Sequence, residues 1–200
     1  MTPATAERRR NYHVGNVRGQ LLVAARDILH ESGRGGLSLR AIADRAGVAP
    51  GTVYYHYADK AALLSGLAID GFRQLADAMR EAYDAGPPDG GLRTTGMAYL
   101  NFLREKPELY ELMYDALDEG RREDVTAAEA EAFAVLRQAI MAEFAAVHPP
   151  EVAHKIAEAI WAWGRGIAVV ALSRGDRGCG PKDEAVESAV RGLEALILRR

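Results

Sequence analysis

Disulfides are excluded first. The 200-residue chain contains a single cysteine, Cys179, so no intrachain bridge can form, which fits a reducing compartment. Metal chemistry has no support. The five histidines, His13, His30, His56, His148 and His154, are scattered without ligand spacing. There is no nucleophile-elbow motif, and the glycine-rich segment 33–36 lacks the preceding strand that a phosphate-binding loop needs. No catalytic residue, metal or cofactor is therefore expected. No apolar run reaches the ~20 residues of a membrane helix, because the most apolar stretch, 159–172, is interrupted by Arg165. The arginine-rich start is not followed by an apolar run and does not read as a signal peptide. These absences point to a cytoplasmic protein without a membrane partner. Strand periodicity and internal repeats are also missing.

Helical periodicity is present from about residue 16 onward. Hydrophobic residues make up 48% of the chain, enough for a real core. The net charge of −3 argues against a general nucleic-acid binder, but its distribution argues the other way. Residues 1–60 carry nine Lys/Arg against five Asp/Glu, a net of +4. Residues 61–200 carry sixteen against twenty-three, a net of −7. A basic end on an acidic body suggests a DNA-facing module; chance clustering on a solvated surface is the alternative.

The basic end holds the most informative stretch, residues 37–64. Ser38 is an N-cap, and Leu39, Ile42, Ala43 and Ala46 share one helical face. Gly47 stands where a left-handed residue ends a helix. Val48 then fills the corner, and Pro50 suits the first position of a second helix. On that helix Val53 and Tyr57 point inward. Gly51 and Tyr55 lie opposite, with Thr52 and Tyr54 on the flanks. Its outer face carries hydroxyls and rings but no carboxylate. Asp59 caps a further helix, with Lys60 in the first turn. Two short helices around a glycine turn describe a helix-turn-helix, with the second helix available to a major groove.

The string Leu-Ser-Leu-Arg-Ala-Ile-Ala-x-x-Ala-Gly-Val-x-x-Gly-Thr-Val-Tyr-x-His-Tyr-x-x-Lys-x-x-Leu-Leu over 37–64 resembles the DNA-binding signature of the tetracycline-repressor (TetR) family of bacterial transcriptional regulators. Residues 12–18 resemble the family's lead-in to its first helix, and the likeness is dense over 12–75. One departure is Ala49, where the family often has a capping Ser or Thr. That forgoes about 1 kcal/mol of capping. The body is similar to one TetR ligand-domain subtype at Ala98-Tyr99-Leu100-x-Phe102, at 106–113, and at Trp161-x-x-x-Arg165-Gly166-Ile167-Ala168. Arg165 stands where that subtype often has His.

The resemblance and the periodicity imply an all-α chain of about nine helices. A three-helix, homeodomain-like helix-turn-helix module precedes a helical ligand-binding and dimerisation domain. The expected divisions are a disordered arm over 1–15, a DNA-binding domain with its connecting helix over 16–84, and an effector and dimer domain over 85–200. In the arm, Arg8, Arg9 and Arg10 are candidates for phosphates or a minor groove; a solvated tail is the alternative. The first helix starts at Asn16, buries Val17, Leu21, Ala24, Ala25 and Ile28, and ends near Ser32-Gly33. A capping box, Thr126 to Glu129, is expected to open a helix reaching about Val147. Val152, Ile156, Ile160, Trp163 and Ile167 are expected to face inward on the next.

For DNA, the resemblance implies Thr52, Tyr54 and Tyr55 toward the groove. Tyr54, His56 and Lys60 would meet phosphates, joined by Ser38 and Arg40. For His56 the alternative is a bond to a local backbone group. An effector pocket is expected among Tyr99, Phe102, Met113, Tyr114, Phe133, Trp161 and Arg165, with plain core as the alternative. Arg165 would pair with a carboxylate, meet a second subunit or bind an acidic effector. Val186, Val190, Leu193 and Ile197 form an apolar stripe on the last helix. It is expected to build a homodimer through a four-helix bundle, unless it packs within its own chain. The implied function is sequence-specific regulation at a pseudo-palindromic duplex, as a repressor released by a small apolar or amphipathic effector. A regulator without a ligand, or an activator, is one rival. An all-helical enzyme or small-molecule carrier with a vestigial helix-turn-helix is the other.

Overall fold

The structure is a computed structural model that describes residues 16–87, 90–118, 123–144 and 147–172, with residues 188, 191 and 192. Eight helices are defined among these residues. They are α1 (Val17–Gly36), α2 (Leu39–Ala46), α3 (Pro50–His56), α4 (Lys60–Ala85), α5 (Gly91–Glu105), α6 (Pro107–Asp118), α7 (Glu123–Phe144) and α8 (Pro150–Leu172). No strand occurs among the described residues. Ser188, Arg191 and Gly192 are helical as well. The arm over 1–15 and the stripe residues Val186, Val190, Leu193 and Ile197 lie outside the described residues.

Local chemistry sets most helix ends. Asn16 caps α1, its Oδ1 accepting from the Gly19 N–H at 2.9 Å. A Cβ on Gly19 would come within 2.5 Å of Asn16 Nδ2, so the missing side chain lets the cap fold over the first turn. Gly33 breaks α1 with φ 65° and ψ −174°, a combination for glycine alone. One more helical turn follows to Gly36 in place of the expected loop, closed by the Leu37 N–H donating to the Arg34 carbonyl at 3.3 Å. In α2, Ser38 Oγ accepts from the Ala41 N–H at 3.1 Å. At its other end Gly47 is left-handed, with φ 68° and ψ 33°. The Val48 N–H donates to the Ala43 carbonyl at 3.0 Å and the Gly47 N–H to the Asp44 carbonyl at 3.3 Å, a Schellman closure. Asp59 caps α4, accepting from the Ala62 N–H at 2.7 Å.

Two expectations need correction. α7 begins at Glu123, so Thr126 lies exposed inside the helix rather than capping it. Glu123 and Asp124 occupy the first turn, where carboxylates suit the positive end of the helix. The described part of α7 reaches Phe144, whose carbonyl accepts from the His148 N–H at 2.8 Å, and Val147 is exposed. On α8, Val152 is exposed, because the inward face runs through Ala153, Ala157, Gly164, Ile167 and Ala168.

The chain divides into two compact units, Met1–Asp77 with Arg104–Ala132, and Ala78–Leu103 with Phe133–Arg200. The sequence division at residue 84 separates the chain differently, since α6 packs with the helix-turn-helix module. In the first unit Phe72 meets Tyr114 edge-on at 5.4 Å, and Tyr110 meets Tyr114 at 4.8 Å. Met113 and Leu109 sit against Gly71, where a Cβ would come within 2.6 Å of Met113 Sδ. Polar ties run beside this core. Arg26 pairs with Asp70, which also accepts from Gln74 Nε2 at 2.6 Å. Lys106 Nζ donates to Gln74 Oε1 at 2.8 Å. Arg34 reaches Asp115 at 2.8 Å, and His30 lies 3.8 Å from Glu108.

The second unit has its own core. Leu136, Ile140 and Phe144 of α7 pack with Ala153 and Ala157 of α8. The small alanines admit a close approach of the two helices. Phe133, Ile156, Ile160 and Trp161 are only partly covered around this cluster. Thr95 is buried but satisfied, its Oγ1 donating to the Gly91 carbonyl at 2.7 Å.

Gly66 and Gly96 give a paired test. A Cβ on Gly66 would lie 2.8 Å from Tyr57 Cε1 in the core, whereas one on Gly96 meets nothing within 4 Å. Overpacking costs about 1–3 kcal/mol, more than the ~1 kcal/mol of helix propensity gained from alanine. Gly66→Ala is therefore expected to lower the thermal midpoint and Gly96→Ala to raise it. Equal shifts in calorimetry would contradict this packing.

Candidate nucleic-acid interface

α3 has two faces set by its sequence. Val53 and Tyr57 are 0% and 2% exposed and anchor it to the first unit. Tyr54 and Tyr55 are 58% and 86% exposed and project outward. Burial of large aromatic rings is the more common outcome, so two adjacent exposed tyrosines on a seven-residue helix make its outer face a candidate contact surface. Thr52 and His56 are half-buried on the flanks. The His56 ring stands edge-on to Tyr55 at 5.2 Å. Ala49 makes no side-chain cap, and Pro50 opens the helix in its place.

Ser38, Arg40 and Lys60 are all exposed, beside α3 in sequence and within the same unit. The Ser38 hydroxyl accepts one bond as a cap. Its O–H remains able to donate to a phosphate oxygen. Asp59 is occupied as the α4 cap, so the carboxylate next to Lys60 already has a backbone donor.

Ion pairs sort the remaining cations of α1 and α2. Arg26, Arg34 and Arg45 are bound to Asp70, Asp115 and Glu31. Arg45 grips Glu31 through two bonds, at 2.9 Å and 2.5 Å. Its hydrogen bond holds the Glu31 carboxyl below the ordinary carboxylate range and raises the guanidinium in return. Among the described residues, Arg18, Arg40 and Lys60 have no carboxylate partner. The Arg18 guanidinium lies 5.6 Å above the Tyr57 ring. Sequence reasoning did not single out Arg18, because nothing local connects it to a tyrosine 39 positions away.

The effector candidates fall into different places. Tyr99, Phe133 and Trp161 come together in the second unit, Trp161 lying 5.8 Å from Tyr99 and 5.6 Å from Phe133. Tyr99 rests on Gly164, where a Cβ would approach to 3.2 Å. His154, which the sequence reading left aside, lies 6.4 Å from Phe133 and 3.4 Å from Glu158. Phe102 is buried in the same unit, and Arg165 is exposed. Met113 and Tyr114 belong to the core of the first unit. No group of three or more His, Cys, Asp or Glu suited to a metal occurs among the described residues.

Comparisons with known proteins bear on both units. Residues 21–67 match the family model for bacterial regulatory proteins of the tetR family. Residues 92–196 match that for the tetracyclin repressor-like C-terminal domain. A Bacillus subtilis (strain 168) protein described as the uncharacterized HTH-type transcriptional regulator YobS is 27% identical over 113 residues. That match covers 56% of this chain and 59% of the relative, so it spans little more than half of either. A Rhodococcus sp. RHA1 protein of unknown function is 30% identical, with a TM-score of 0.72 over 91% of this chain and 95% of its own. PfmR from Thermus thermophilus, a TetR family transcriptional regulator, shares the fold. Its TM-score is 0.60 at 21% identity, over 90% of this chain and 97% of that one.

Tyr54 is exposed and carries no part of the core, which makes it separable from folding. Tyr54→Ala is expected to weaken duplex binding about tenfold, the scale of one lost hydrogen bond to a charged group. The thermal midpoint should stay within about 1 °C, as for surface substitutions. Unchanged affinity in a fluorescence-anisotropy titration would remove Tyr54 from the interface.

Proposed function

The chain belongs to the tetR family of bacterial regulatory proteins, and on that premise we propose that it is a homodimeric repressor bound to a pseudo-palindromic operator and released by a small apolar or amphipathic effector. Family membership places it among transcriptional regulators with a DNA-binding helix-turn-helix, and outside the enzymes. The observation that carries the DNA reading is the outer face of α3. It shows two exposed tyrosines and no carboxylate, on a helix held from behind by Val53 and Tyr57. Ser38, Arg40 and Lys60 supply the backbone contacts in this reading, and Thr52, Tyr54, Tyr55 and His56 supply the groove and its edges.

One module offers few base contacts, so two are needed for selectivity. A dimer would set two copies of α3 about one helical turn, ~34–36 Å, apart. The outer side of α8 supports such pairing: Ala159, Ala162, Gly166 and Val169 are exposed at three- and four-residue spacing. The apolar stripe Val186, Val190, Leu193 and Ile197 would complete the bundle. The effector reading is supported by the incompletely covered rings of Phe133 and Trp161 beside Tyr99. No helix among the described residues is long and apolar enough to cross a membrane.

Selection of genomic fragments on the purified chain tests the DNA reading. A pseudo-palindromic duplex should be enriched, and its affinity should fall steeply with salt as counterions are released. The absence of any sequence-selective duplex would overturn the reading. In the same titration, a ligand that releases the duplex should also alter Trp161 emission. Release with an unchanged spectrum in a Trp163→Phe background would move the effector site elsewhere.

A further inference from the structure

Three Lys and Arg side chains over residues 16–60 have no carboxylate partner among the described residues, and the sequence motif accounts for two of them, Arg40 and Lys60. The third is Arg18. We propose that Arg18 is a further backbone-phosphate contact of each module, held ready at the C-terminal end of α3 by the Tyr57 ring. The proposal rests on the DNA-binding reading above and extends its contact set to α1.

Three observations carry it. First, the other arginines over residues 16–60 are spent internally: Arg26 on Asp70, Arg34 on Asp115 and Arg45 on Glu31. In a protein with a net charge of −3, an exposed arginine left out of this pairing keeps its full charge for an outside anion. Second, its position is tied to α3. The guanidinium lies 5.6 Å from the centroid of Tyr57, the residue that follows α3, and three residues before Lys60. Tyr57 is itself fixed, 2% exposed and seated against Gly66 of α4. Third, the start of α1 is pinned by the Asn16 cap on Gly19, so Arg18 leaves the helix from a set point.

A guanidinium resting on an aromatic face is weakly hydrated and partly ordered before DNA arrives. Less side-chain freedom is then lost on docking. A planar donor fork can span two oxygens of one phosphate, which a solvated lysine does not do. The contact carries no base information, so it adds affinity uniformly across sequences.

The test uses the full-length chain and two duplexes, the selected operator and a scrambled version, titrated across salt. Arg18→Gln should weaken binding to both by about tenfold, leaving their ratio unchanged. It should lower the slope of log K against log salt by about 1.8 per dimer, from ~0.9 for each of two phosphate contacts. Arg34→Gln makes the same change in net charge at a cation already paired, and should leave the slope near that of the wild type. Arg18→Lys should restore the slope, which a merely structural role at the helix start would not require. An Arg18→Gln slope equal to that of Arg34→Gln overturns the proposal while leaving the regulator reading intact. A wild-type chain that binds neither duplex overturns both.

Discussion

The seat of Tyr57 on Gly66 is the constraint on which the DNA-binding end depends. Tyr57 closes α3 on one side and precedes the Asp59 cap of α4 on the other. Its ring lies where any Cβ at position 66 would intrude, at 2.8 Å from Cε1. That contact fixes the angle between a seven-residue helix and a twenty-six-residue one. A helix as short as α3 has little stability of its own, so it is held by its packing on α2, by the buried Val53 and by the Tyr57 ring against Gly66 of α4. The outer face is then free to carry Tyr54 and Tyr55, which contribute nothing to the core.

Charge is partitioned by the same architecture. α1 places Arg26, His30 and Arg34 at four-residue intervals, and their carboxylates come from α4 and α6. These surface and half-buried pairs add little stability each. Their larger effect is to occupy Arg26 and Arg34, while Arg18, Arg40 and Lys60 have no carboxylate partner among the described residues.

Much of the helix-turn-helix was legible in sequence because its determinants are local. Ser38, Gly47, Pro50 and Asp59 each act within four residues, and all four perform the roles their positions imply. The break at Gly33 was legible too, though not the helical turn after it. At Thr126 two start signals compete. The capping box is matched in sequence, yet the acidic pair Glu123 and Asp124 takes the first turn. Inward faces of long helices were less legible: Val152 is apolar yet exposed, since small residues on its neighbouring face give α8 its closest packing. Long-range pairs left no local trace. Arg26 with Asp70 and Arg34 with Asp115 join residues 44 and 81 positions apart. For the same reason Met113 and Tyr114, aromatic and sulfur-bearing at helical spacing, read as pocket candidates although they fill the first unit's core. Tyr99, Phe133 and Trp161 meet only because three separate helices converge.

The proposed function asks one thing of α3, insertion of its outer face into a major groove. Methylation interference on the selected operator tests that most directly, because it reports the groove that is entered. Modification at guanine N7 should block binding in two clusters about one helical turn, ~34–36 Å, apart. Interference confined to adenine N3 in the minor groove, or absent from the major groove altogether, would contradict the account.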